Sequence, residues 1–243
     1  MRLRIYILTC VLALTLGCIN NSRHSFESYH ERGYDFFQKK RFKLAIREFT
    51  SAIEINPFSA NTFMLRGISC IQLSQHACAI DDLTKSIEVE NWDNQNESIY
   101  KWQIERCLAE SYVWRGLANY EIGNHGRALN DFSESITLNP INPRAYLWRA
   151  HVHYWENNDI DAAISDFEHA IRDHSQNAIE LFVLPDNFVE ICTQEMTKAR
   201  EHHAINSKGA ASPNDGVSVN SSHSSIEFQE ASGIGNGTAA GLE

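Results

Sequence analysis

The sequence predicts an all-α fold, a solenoid of about four helix-turn-helix pairs closed by a C-terminal capping helix. Three observations predict it. Small residues recur at a spacing of 34, from Gly33 to Gly67, from Ala45 to Ala79 and from Gly116 to Ala150. An arginine directly precedes the first small residue of each pair, at Arg32, Arg66, Arg115 and Arg149. Asn56-Pro57 and Asn139-Pro140 end helices at corresponding places, because the residue before proline avoids the α region.

The repeats are justified one by one. Repeat one, residues 26–59, places Tyr29, Gly33, Phe36, Ala45, Phe49, Ala52 and Pro57 at positions 4, 8, 11, 20, 24, 27 and 32. Repeat two, 60–93, places Phe63, Gly67, Cys70, Ala79, Leu83 and Ser86, with Asn91 where the proline stands in repeat one. Repeat three, 109–142, places Tyr112, Gly116, Asn119, Ala128, Phe132, Ser135 and Pro140. Repeat four begins at Pro143 with Tyr146, Ala150 and His153, and its second helix fits one residue late as Ala163, Phe167 and Ala170. The extra residue is expected in a longer Asn157-Asn158-Asp159 turn.

This pattern resembles the tetratricopeptide repeat over residues 26–177. The physics agrees. Small residues at positions 8, 20 and 27 let two helices of a pair approach closely. Large residues at 4, 11 and 24 fill the space between pairs, and one pair cannot bury its apolar face alone. The four arginines face Glu48, Asp82, Asp131 and Asp166, each just before the position-24 residue, so a recurring arginine–carboxylate pair between helices is expected.

Between repeats two and three lies an insertion at 94–108. Tyr100, Ile104, Cys107 and Leu108 keep helical spacing into Tyr112, which predicts one long helix from about Ser98 to Glu121. It would serve as a partner platform or as a spacer. After the repeats, Ile179–Leu184 is densely apolar and stops at Pro185. Phe188, Ile191, Cys192 and Met196 then recur at helical spacing, predicting a capping segment over 178–203. Residues 204–243 hold eight serines and six glycines with Phe228 as their one aromatic, a composition expected to remain disordered.

The first residues read as a targeting segment. Arg2 and Arg4 precede an apolar run from Ile5 to Leu16, long enough for a signal-peptide core and too short to span a bilayer. Leu14-Thr15-Leu16-Gly17-Cys18 resembles a bacterial lipobox, with Thr15 departing from the usual leucine. The resemblance implies a signal peptide over 1–17, a lipid on Cys18 and a linker over 18–25. The implied location is the bacterial cell envelope. Ile19, where aspartate would favour the inner membrane, favours the outer membrane facing the periplasm.

The formal charge is −10, from 21 basic and 31 acidic side chains without a basic run. That excludes a nucleic-acid binder, which needs clustered Lys and Arg. No C-x-x-C pair, phosphate loop or convergent acid–base set is present, so neither a metal, a cofactor, a small-molecule substrate nor catalysis is expected. His151 and His153 are two apart and face different sides of a helix. In an oxidising compartment an approach of Cys70 to Cys78 is conceivable.

The tetratricopeptide resemblance implies a groove lined by the first helix of each pair, taking a protein or peptide partner. Its positions fall on Tyr34, Phe37, Met64, Ile68, Val113, Leu117, Tyr120, Arg144, Leu147, His151, Tyr154 and Trp155. This set holds one basic residue, Arg144, which disfavours capture of a peptide carboxylate. The implied function is an envelope-tethered adaptor whose apolar groove floor carries the partner. The alternative is a structural or assembly lipoprotein of an envelope or pilus machine.

Overall fold

The structure, a computed structural model, describes residues 25–94, 101–174 and 187–209. The signal segment, Cys18, the apolar stretch Ile179–Leu184 and the chain beyond 209 lie outside the described residues. The chain divides into two compact units, Met1–Ser98 and Ile99–Glu243. The described residues form helices joined by short turns, with no strand among them.

The first unit holds α1 (25–38), α2 (Phe42–Ile55), α3 (Ala60–Ile71) and α4 (His76–Asn94). The second holds α5 (Lys101–Glu121), α6 (His125–Leu138), α7 (Pro143–His151), α8 (Ile160–His174) and α9 (Phe188–Gly209). The pairs are α1/α2, α3/α4, α5/α6 and α7/α8, as the 34-residue period requires. Ser59 caps α3 by accepting from the Thr62 N–H, and Asn142 caps α7 by accepting from the Arg144 N–H, with Pro143 at the first helical position.

Each pair closes on the small residue at position 8. An added Cβ on Gly33 would lie 2.6 Å from the Phe49 ring, and one on Gly116 would lie 2.6 Å from the Phe132 ring. At Gly67 the obstacle is Leu83, at 2.9 Å. The helices therefore meet where no side chain separates them, and Phe49, Leu83 and Phe132 are fully buried.

The arginine–carboxylate pairs form in all four repeats. Arg32 Nε donates to Glu48 at 2.9 Å. Arg66 donates to both oxygens of Asp82 at 2.8 and 2.6 Å, Arg115 to Asp131 at 3.1 and 2.7 Å, and Arg149 to Asp166 at 2.8 and 2.7 Å. The Asp82 and Asp166 carboxylates raise the pKa of Arg66 and Arg149 above the ordinary value. Each guanidinium also lies over the aromatic ring three residues earlier, Tyr29, Phe63, Tyr112 and Tyr146. Within each unit the arginine reaches back to the preceding pair. Arg66 donates to Thr50 at 3.1 Å and Arg149 to Ser133 at 3.4 Å.

The one-residue offset of repeat four does not lie where the sequence suggested. In repeats one to three the position-11 carbonyl accepts from an N–H five residues on: Arg41 to Phe36, Gln75 to Cys70 and Asn124 to Asn119. In repeat four the donor to His153 is Asp159, six residues on. The turn keeps the same length. A left-handed residue (Lys40, Ser74, Gly123 or Asn158) stands two places before each second helix. The extra residue is absorbed inside the first helix, whose last turn widens into a π-type turn over Val152–Glu156, with Asn157 N–H bonded to Val152 O at 3.1 Å. The turn resists lengthening because its left-handed residue and following helix start are coupled, whereas a helix end accommodates one more residue by opening its hydrogen-bond ring.

Both helices beside the insertion are long, and α5 takes in its second half. α4 has 19 residues and α5 has 21, about 32 Å at the usual rise. At the C-terminal end α9 packs on α8, with Phe188, Cys192 and Ala199 buried. It continues to Gly209, so residues 204–209, assigned to the tail from composition, are helical.

Candidate partner-binding site

The residues expected to line a groove divide into two groups. Phe37, Met64, Ile68, Val113, Leu117 and Leu147 are buried, as are Arg144 and His151. They form the packed layer beneath the surface, which corrects the expectation of an open apolar floor. Leu147 shows the cause. It shares a cluster with Ala163 and Phe167 of α8 and with Phe188 and Cys192 of α9, so the cap and its neighbour fill the space a ligand would need. Arg144 is equally committed. Its guanidinium donates to Glu110 at 3.1 Å, lies over the Trp114 ring, and shares Glu110 with the Asn142 amide.

The second group keeps solvent access: Tyr34 in the first unit, and Tyr120, Tyr154 and Trp155 in the second. The last three gather around the end of α5 and the π-type turn. Tyr120 contacts Trp148 with centroids 6.0 Å apart and meets His125 edge-on at 5.3 Å. His125 Nε2 lies 3.2 Å from a Glu156 oxygen. Trp148 leans on His151 at 5.4 Å, and Tyr154 packs edge-to-face on Trp155 at 4.6 Å and on His202 of α9 at 5.9 Å. Trp148, His125 and Glu156 were not singled out from the sequence. Their signal was the extra residue of repeat four, which places this helix end out of step with the other three.

The electrostatics of this surface follow from burial. His151 is pushed down to about 3, first by desolvation and then by the positive charge of Lys198, so it is neutral at ordinary pH. Its Nε2 and the Trp148 Nε1 are buried with no hydrogen-bond partner among the described residues. Burial, then Glu156 and Glu121, push Tyr120 up to about 12. Burial, then Glu195 and Glu201, raise Tyr154. Both phenols are therefore neutral hydroxyls that donate and accept. The surface is aromatic and bordered by the carboxylates of Glu121, Glu156, Glu195 and Glu201.

Elsewhere, in the first unit, Cys70, Cys78 and Asp82 place one donor atom each within 4.8 Å of one another. Both cysteines are free.

Comparison with known proteins agrees with the geometry. The tetratricopeptide repeat family matches residues 109–142 and 143–172. The outer dynein arm-docking complex subunit 4 of Xenopus laevis is 28% identical over 67 residues, which is 28% of this chain and 13% of that protein. Among solved structures, MamA superposes with a TM-score of 0.52 at 20% identity, covering 63% of this chain and 80% of its own. A tetratricopeptide repeat protein from Parabacteroides merdae ATCC 43184 gives 0.53 at 16% identity, covering 74% and 62%. These likenesses are of fold. Matched repeats, 34-residue period and helix pairing together show a tetratricopeptide-type helix-turn-helix fold, with the family's own pattern matched over residues 109–142 and 143–172.

Proposed function

We propose that this protein is an adaptor, held at the bacterial envelope by a lipid on Cys18, that binds a partner protein or peptide on the aromatic surface around the π-type turn. The observation that carries the binding reading is the set Tyr120, Tyr154 and Trp155, large rings that keep partial solvent access around one helix end. Tyrosine and tryptophan are enriched among the residues that dominate protein recognition. A peptide laid there would bury the ring faces of Tyr120, Tyr154 and Trp155 and meet the Tyr120 and Tyr154 hydroxyls. Helix ends that open into π-type turns recur at functional sites.

The binding reading is tested by a photo-crosslinking side chain placed at Trp155, with the same group at Ile141 as a second exposed position. Illumination in whole cells should yield an adduct to one protein from position 155 and not from position 141. Equal adducts from both would remove the reason to place the site at the π-type turn.

The anchor rests on the Gly17-Cys18 junction after the apolar run. Cys18→Ala, expressed in a Gram-negative host, should take up no labelled fatty acid and should leave the membrane fraction. Membrane association equal to that of the unaltered chain, with no label on either, would end the lipoprotein reading.

A further inference from the structure

The first unit carries a cluster of donors that the binding surface does not use. Cys70 lies in the last turn of α3 and is fully buried, while Cys78 lies in the first turn of α4 and is exposed. The tight turn between the two helices folds the thiols onto each other. Cys70 Sγ, Cys78 Sγ and a carboxylate oxygen of Asp82 all lie within 4.8 Å of one another. Cys78 Sγ is 3.9 Å from Asp82 Oδ2. Asp82 is itself held by two hydrogen bonds from Arg66 and is buried, so its position is fixed before any ligand arrives.

The same two positions in the other repeats show what is particular here. Position 11 is Phe36 in repeat one, Asn119 in repeat three and His153 in repeat four. Asn119 donates to Asp131 at 3.1 Å, and His153 lies 4.0 Å from Asp166, so a polar residue beside the paired carboxylate is common. Position 19 is Leu44 in repeat one and Arg127 in repeat three. In repeat two both positions are thiols, which gives two sulfur donors and one oxygen donor facing a common point.

We propose that Cys70, Cys78 and Asp82 form a site for a thiophilic divalent cation, zinc by its chemistry. Soft thiolate donors select ions of this class over calcium or magnesium. Zinc–sulfur bonds of about 2.3 Å and zinc–oxygen bonds of about 2.0–2.2 Å reach a point between three atoms this close with small side-chain rotations. The charges balance. Two thiols lose two protons to solvent, and the two thiolates, Asp82 and Arg66 then sum to minus two, which the ion neutralises. Exposed Cys78 gives the entry path, and water completes a tetrahedron on that side. Arg66 orients the oxygen ligand without touching the ion. The bound ion would clamp the end of α3 to the start of α4.

The test uses the full chain, reduced and stripped of metal, titrated with cobalt(II) and then zinc. The proposal expects one cobalt per chain, a sulfur-to-cobalt charge-transfer band with the intensity of two thiolates, and its displacement by one equivalent of zinc. Cys78→Ala leaves the packing intact because the residue is exposed, and it should weaken binding by at least roughly 100-fold, since losing a direct ligand costs no less than the 10–100-fold lost with an outer-shell partner. Cys107→Ala should leave binding unchanged. Binding that survives Cys78→Ala overturns the proposal, since Cys70 and Asp82 alone do not make this site. So does a reduced chain that takes up no cobalt and forms only a Cys70–Cys78 disulfide when oxidised.

Discussion

Arg115→Met is expected to destabilise the second unit by about 3 kcal/mol, the usual range for breaking a largely buried ion pair from one side. The cost arises from Asp131, not from the arginine. Asp131 is buried and accepts from Arg115 twice and from the Asn119 amide at 3.1 Å. Methionine preserves much of the aliphatic packing and leaves the carboxylate with one neutral donor. Arg200 is the control within the same unit. It reaches Glu168 at 2.7 Å, but both side chains are about half exposed. Arg200→Met should change stability by less than about 0.5 kcal/mol, as exposed pairs do. Urea unfolding followed by circular dichroism reads both. Equal losses from the two substitutions would show that the repeated pair is a surface feature and not a structural one.

Gly116→Ala is expected to cost about 2 kcal/mol, although alanine is the better helix former by about 1 kcal/mol. The new methyl would stand 2.6 Å from a fully buried ring, that of Phe132, which cannot turn aside without moving α6. Gly126→Ala in the same unit meets nothing within 4 Å and should stabilise, by roughly 0.5 kcal/mol. Opposite signs for two glycine-to-alanine changes isolate close approach from propensity. A gain at both positions would mean that α5 and α6 are not held as near as the structure has them.

The helix pairs and their arginine–carboxylate ties were legible in the sequence because each depends on residue types at fixed offsets within one repeat. Arg66 and Asp82 are sixteen apart, and a pair of antiparallel helices brings that offset together whatever surrounds it. The extra residue of repeat four was legible as a count but not as a place, since a turn and a helix end can each take one more residue. The left-handed Asn158 decided it by keeping the turn at its standard length. The groove was less legible. Position arguments put Leu147 and His151 on a ligand-facing side, but they do not reveal that Phe188 and Cys192 of α9 pack over that side. Arg144 read as a free basic group because its partner, Glu110, lies 34 residues away on a different pair. The approach of Cys70 to Cys78 was read from the sequence, but Asp82 as a third donor beside them was not. Their spacing matches no common ligand motif, and only the turn between α3 and α4 closes it.

The central claim is that recognition resides in the aromatic surface at the π-type turn. Its most direct test is calorimetric affinity for the crosslinked partner, measured on the unaltered chain, Trp155→Ala and Ile141→Ala, with circular dichroism confirming equal helicity. Trp155→Ala should weaken binding by at least tenfold, or about 1.4 kcal/mol. Ile141→Ala should not change it. Unchanged affinity in Trp155→Ala, with the fold intact, would contradict the account.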